Sequence, residues 1–188
     1  MEFKDIVYNN RSYRRFYESE SINMSTLKYL ADLARVSPCG ANLQKLRYRL
    51  SNTPEENQKI FSCLGWAGYY KDWDGPEEGE RPTGYIVILS DKDIKGGSAL
   101  DAGIAAQTIM LAATDKGYRG CMIGNINRQK LFPLLGISED KYNIELVLAL
   151  GIPKEEVRIC EYTDSVKYFR DESDVHNVPK KKLEDILV

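Results

Sequence analysis

The sequence predicts an α+β fold in which helices are layered on a few strands. Two apolar runs, Tyr85-Ile86-Val87-Ile88-Leu89 and Ile144-Glu145-Leu146-Val147-Leu148-Ala149-Leu150, have the make-up of central strands. Helical spacing of apolar residues governs Asn23 to Val36 and Ser98 to Lys116, yet strands and helices do not alternate regularly along the chain. That irregular order favours an α+β layering over a doubly wound sheet.

The elements follow in order. A short N-terminal helix precedes Asn10. Leu27, Leu30, Ala31 and Ala34 define the next helix, with Asn23 or Ser25 as its cap. Ser37-Pro38-Cys39-Gly40 stops it, because proline and glycine disfavour continuation. Leu46 to Leu50 alternates apolar and basic residues as a half-buried strand does, and a polar helix is expected from Pro54 to Cys63. Leu64 to Pro82 is rich in turn residues and carries Trp66, Tyr69, Tyr70 and Trp73, which reads as a lid or as rings packed beneath a long loop.

Ser98 to Lys116 places apolar residues on nearly every helical face. A helix of that kind is expected to be buried on all sides, inside one subunit or at a subunit interface. Cys121 to Ile123 reads as extended and Leu131 to Leu135 as a short helix. Gly151-Ile152-Pro153 ends the second central strand, and a charged tail runs from Tyr168 onward.

The 188 residues suit a single domain spanning 1–188, and a net charge of −2 gives no field that would draw the chain to nucleic acid or a membrane. No apolar run is long enough to span a bilayer. Cys39, Cys63, Cys121 and Cys160 are scattered without a Cys-x-x-Cys pair, as free thiols in a reducing, cytoplasmic setting would be. With one histidine, His176, neither a multi-histidine metal site nor a serine–histidine–acid set is expected. His176 itself reads as a surface or loop residue.

Three constellations remain. Arg11, Arg14 and Arg15 with Ser12 crowd guanidiniums and a hydroxyl into five residues, which could clamp a phosphate or form a solvated basic turn. Ser37 to Gln44 joins small and amide residues that admit a planar ligand to the backbone, or simply end a helix. Gly117 to Asn125 offers glycines after a helix but not the Gly-x-Gly-x-x-Gly dinucleotide pattern. Lys180-Lys181-Lys182 is by default a solvated run. Lacking the residues of side-chain catalysis, but with several places for an anionic planar ligand, the chain points to a cofactor carrying the chemistry.

Taken in order, these segments resemble the FMN-dependent nitroreductase family across essentially the whole chain. Arg11-Ser12-Tyr13-Arg14-Arg15-Phe16 is similar to its Arg-x-Ser-x-Arg motif, and Ser37 to Gln44 to its Ser-Pro-Ser-x-x-Asn-x-Gln segment. Asp101 to Gln107 with Leu111-Ala112-Ala113 and Gly117 resembles its long central helix. Leu148 to Pro153 resembles its last core strand, and Val178 to Leu183 its C-terminal basic motif.

The resemblance implies a small, mainly antiparallel sheet flanked by helices, a long buried central helix, and an intertwined homodimer with FMN at the interface. Arg11, Ser12 and Arg14 would hold the phosphate and pyrimidine edge with Lys180 and Lys181. Pro38, Cys39 and Asn42 would come from the other subunit. Met122, Ile123, Gly124 and Asn125 would line the isoalloxazine, with the Gly124 N–H near flavin N5. Activity would pass hydride from NAD(P)H to a nitroaromatic, quinone or similar small acceptor by a ping-pong mechanism. The alternatives are a flavin-family dehalogenase or dehydrogenase, and a non-catalytic flavin-binding module. Asn10 stands where many members have arginine, Cys39 replaces a common serine, and Trp66 to Arg81 is short and acidic beside larger members.

Overall fold

A computed structural model of the chain describes residues 1–97 and 100–188. Helices α1 (Phe3–Asn9), α2 (Met24–Arg35), α3 (Pro54–Phe61), α4 (Leu100–Asp115) and α5 (Arg128–Leu135) surround a sheet of β1 (Leu46–Ser51), β2 (Gly84–Asp91), β3 (Arg119–Ile123) and β4 (Tyr142–Gly151). The strand order is β1-β2-β4-β3 and every neighbouring pair is antiparallel. The expected α+β architecture and its two central strands are therefore present.

Both sheet faces are covered, which is why the central strands read as near-continuous apolar runs rather than alternating ones. On one face Ile86, Ile88, Leu148 and Leu150 pack with Leu27 and Leu30 of α2 and Ala105 and Ile109 of α4. On the other face Tyr85, Val87, Val147 and Ala149 pack with Ile60 of α3, Leu131 of α5 and Trp66. Caps hold the second layer: the Thr53 side chain accepts the Glu56 N–H at 3.4 Å, with Pro54 opening α3. Asn127 accepts the Lys130 N–H at 3.1 Å at the start of α5.

Two expectations are corrected. The helix expected from Ser98 is not buried on all sides within one subunit, which leaves the interface alternative for its open face: Leu100 is 73% and Ile104 42% exposed, and Gly103 and Gln107 are exposed beside them. Its buried face is the alanine-rich one, Ala102, Ala105, Ala106, Ile109 and Ala113, which permits close approach to α2. Ser98 lies outside the described residues. The charged stretch after Tyr168 is not a free tail either. It forms β6 (Phe169–Arg170) and β7 (His176–Lys180), and with β5 (Val157–Glu161) makes a second sheet of order β5-β7-β6. No helix among the described residues is long and apolar enough to cross a membrane.

The N-terminal segment closes the free edge of β3. Ser12 bridges Gly120, and the Tyr13 N–H donates to the Gly120 carbonyl at 2.9 Å. A Cβ at Gly120 would meet the Ala149 carbonyl oxygen at 2.0 Å and Leu150 Cδ2 at 2.9 Å. Only glycine lets β3 lie this close to β4. Gly120→Ala should cost about 1–3 kcal/mol, read as a lower urea midpoint at unchanged m-value.

Candidate functional site

The edge contact brings the arginine motif to the end of β3 and beside β7. Arg11, Ser12 and Arg14 line a cleft of about 250 Å³ together with Met122, Lys180, His176, Tyr168 and Gln107 of α4. Five of the expected site residues, Arg11, Ser12, Arg14, Met122 and Lys180, are thus assembled although they come from the two ends and the middle of the chain.

The charges in this cleft are uncompensated. Arg15 pairs with Glu80 at 3.3 Å and Asp174 at 2.6 Å, and Lys182 pairs with Glu161 at 2.8 Å. Among the described residues, Arg11, Arg14 and Lys180 form no such ion pair. Arg11 donates to the Val7 carbonyl at 2.8 Å, but its buried Nε has no partner. Desolvation pulls its guanidinium below the ordinary value, and a half-buried cation with an orphaned donor favours an incoming anion.

Arg14 is held from behind. The buried Glu155 carboxylate, 2% exposed, accepts the backbone N–H groups of Arg14 and of Arg15 and pairs with the Arg170 guanidinium. One anion therefore fixes the main chain of the motif and leaves the Arg14 side chain for the cleft. Cys121 on β3 offers no nucleophile there, since burial pushes its thiol up to about 12.

The other expected residues lie elsewhere. Pro38 and Cys39 line a separate groove of about 480 Å³ between α2 and β1, with Asp101 and Ala105 of α4. The Asp101 carboxylate accepts the Gly40 N–H at 2.9 Å, and the turn that follows holds Ala41, Asn42 and Gln44 at φ of 49°, 54° and 50°. Three non-glycine residues in the left-handed region within four positions are a local cost that a ligand-binding turn commonly carries. Asn42 is exposed on this turn. The Ile123 side chain is buried with Trp66 and Val147, away from the cleft. Gly124 and Asn125 are exposed past the end of β3, where the Asn125 carbonyl accepts the Gly65 N–H at 2.9 Å. Lys181 lies in the neighbouring groove, its ammonium 5.7 Å from the Tyr162 ring centre.

Sequence reasoning missed His176, which is 1% exposed and not on the surface. Its Nε2 lies 3.3 Å from Arg14 Nη1. Burial and the nearby Arg14 and Arg170 lower its pKa from 6.5 to about 4. The unfolded chain protonates near the ordinary value and the folded chain only near the lowered one. Unfolding thus takes up a proton between pH 6.5 and 4, and stability falls as pH drops through that window. The expected slope is about 1.4 kcal/mol per pH unit, measured by urea unfolding against His176→Gln, in which this contribution is absent.

An antiparallel sheet between helical layers, with a cleft lined by Arg11, Arg14 and Lys180 at its edge, defines an α+β class. The nitroreductase family model matches residues 79–152, from just before β2 to just after β4. YodC of Bacillus subtilis, provisionally assigned as an NAD(P)H nitroreductase, is 25% identical over 177 residues, covering 78% of this chain and 87% of that protein. An enone reductase of conjugated linoleic acid (CLA) biosynthesis from Lactiplantibacillus plantarum is 20% identical over 189 residues, covering 82% and 87%. A Desulfovibrio desulfuricans structure, provisionally a nitroreductase and solved with FMN, shares the fold at TM-score 0.68 and 18% identity, over 82% of this chain and 88% of that one. The chain is thus similar to the nitroreductase family over β2 to β4, and shares the fold of solved nitroreductase-family structures.

Proposed function

We propose that this chain binds FMN as a homodimer and passes hydride from NAD(P)H to a small electron-poor acceptor in the cytoplasm. The observation that carries this reading is the trio of ion-pair-free cations, Arg11, Arg14 and Lys180, around one cleft with an orphaned buried Arg11 Nε. That donor set suits a phosphate joined to a polar ring edge. The names of the relatives, an NAD(P)H nitroreductase and an enone reductase, supply the reaction class.

Arg11 and Lys180 would hold the phosphate, while Arg14 would meet the pyrimidine edge, where negative charge gathers on reduction. Ser12 sets the register of both arginines through its bridge to Gly120. Met122 is 38% exposed at the cleft wall and would offer an apolar, polarizable surface to the ring. When bound, FMN would supply the hydride chemistry. Gly124, with no Cβ at the end of β3, would present its N–H.

The dimer rests on α4. Gln107 and Met110 line the cation cleft, whereas Asp101 and Ala105 line the groove of Pro38 and Cys39. Between them the exposed Leu100, Gly103 and Ile104 make an apolar strip. Pairing two α4 strips about a twofold axis would bring Pro38, Cys39 and Asn42 of the partner subunit to the cation cleft. The acceptor is a nitroaromatic, a quinone or an enone, taken by turns with the nicotinamide on one open face.

Three measurements check this reading. Initial-rate lines at several fixed acceptor concentrations should be parallel, and intersecting lines would exclude a shared face. Ile104→Glu should yield monomers by light scattering that no longer retain FMN, while a monomer with stoichiometric FMN would refute the shared site. Lys180→Ala should weaken FMN about tenfold and riboflavin hardly at all, since an exposed charge-assisted contact contributes on the order of 1.4 kcal/mol. Lys181→Ala, in the adjoining groove, should do less.

A further inference from the structure

The loop between α3 and β2 is joined to the cation cleft by three side chains in contact. Tyr70 Oη lies 2.6 Å from His176 Nδ1, and His176 Nε2 lies 3.3 Å from Arg14 Nη1. An arginine only donates, so Nε2 must accept. A neutral imidazole with an accepting Nε2 carries its proton on Nδ1, which then donates to Tyr70 Oη. This is the tautomer a free histidine side chain populates less.

The surroundings hold that arrangement. Tyr70 meets the imidazole edge-on at 5.7 Å and 83°, and Tyr168 lies at 5.1 Å on it. The Arg14 guanidinium in turn lies 4.9 Å from the Tyr168 ring centre, and its Nη1 also donates to the Ser12 carbonyl at 3.3 Å. The charged groups facing the imidazole are Arg14 and Arg170, both cations, which keep it neutral. Burial likewise raises the Tyr70 hydroxyl against the opposing pull of Arg170 and Arg14, so Tyr70 stays protonated.

We infer that Tyr70 and His176 are positioning residues. The His176 ring, oriented by Tyr70 with Nε2 accepting from Arg14, holds the Arg14 guanidinium at the cleft and ties the loop to the cation that meets the bound ring. What Arg14 meets rests on the FMN reading above, whereas the tautomer does not.

The chain has one histidine, so ¹⁵N-labelled protein made without a histidine tag gives a single imidazole spin system. Two-bond proton–nitrogen correlations of the wild type should show the Nδ1–H form, unchanged from about pH 5 to about pH 8. Tyr70→Phe removes the acceptor that orients the ring, so the imidazole should partly leave the Arg14 donor and a share of the Nε2–H form should appear. An Nε2–H imidazole in the wild type, or one titrating near its ordinary value, would overturn the arrangement.

Flavin fluorescence titration tests the positioning. His176→Phe and Tyr70→Phe should weaken FMN and riboflavin alike, on the order of tenfold, because Arg14 meets the ring and not the phosphate. His176→Gln, which keeps an acceptor and a donor, should stay within about threefold of wild type. Unchanged flavin affinity in His176→Phe, or a loss confined to FMN, would refute the positioning role. A wild type that binds neither flavin would refute the FMN reading and with it the ring contact, and the spectrum would still decide the tautomer.

Discussion

The cleft depends on how the chain treats the exposed edge of β3. A sheet edge presents unpaired N–H and C=O groups that need a partner. Here the partner is the segment that carries the arginines, laid down through Ser12 and Tyr13 against Gly120. Edge satisfaction and site assembly are one event, and Gly120 is the position where both would fail. Phe16 continues the same run by bridging Pro153, and the Lys154 N–H donates to the Arg15 carbonyl at 3.0 Å, so the motif is stitched to the residues just before Glu155.

Charge is partitioned with the same economy. Of the guanidiniums in the motif, Arg15 is spent on Glu80 and Asp174, while Arg11 and Arg14 are withheld from any carboxylate. Glu155 makes this possible, because it accepts main-chain N–H groups of the motif and gives its ion pair to Arg170 instead. A buried carboxylate is costly unless its lone pairs are all used. Its three donors come from two segments, the arginine motif and β6.

The large features were legible because they follow from burial. β2 and β4 announced themselves as apolar runs, since helices cover both faces of the sheet. The second sheet was hidden. Pro179 argues against a central strand, but β6 opposes only His176 and Asn177, so Pro179 has a strand neighbour on one side alone. His176 gave no signal, because a lone histidine in a polar stretch carries no periodicity. Its burial is created by Tyr70 and Tyr168, which arrive from other segments. α4 was read from composition as buried inside one subunit or at an interface, because composition does not distinguish a face packed within the chain from one left open. The arginine motif was legible as charge, but which guanidiniums are free was decided by acidic partners remote in sequence.

The four thiols are sorted by depth in a way that makes the chain a ready probe of itself. Cys63 and Cys121 are buried, while Cys39 and Cys160 are only partly so. Cys39 sits in the groove between α2 and β1, and Cys160 on β5 sits in the groove beside Lys180 and Lys181. An alkylating reagent therefore reaches the groove adjoining the cation cleft and the separate groove between α2 and β1, and leaves the thiol on β3 untouched. Ligand binding lost on gentle alkylation would report on those walls, not on β3. A fluorophore at Cys160 would see the cleft from the adjoining groove without entering it.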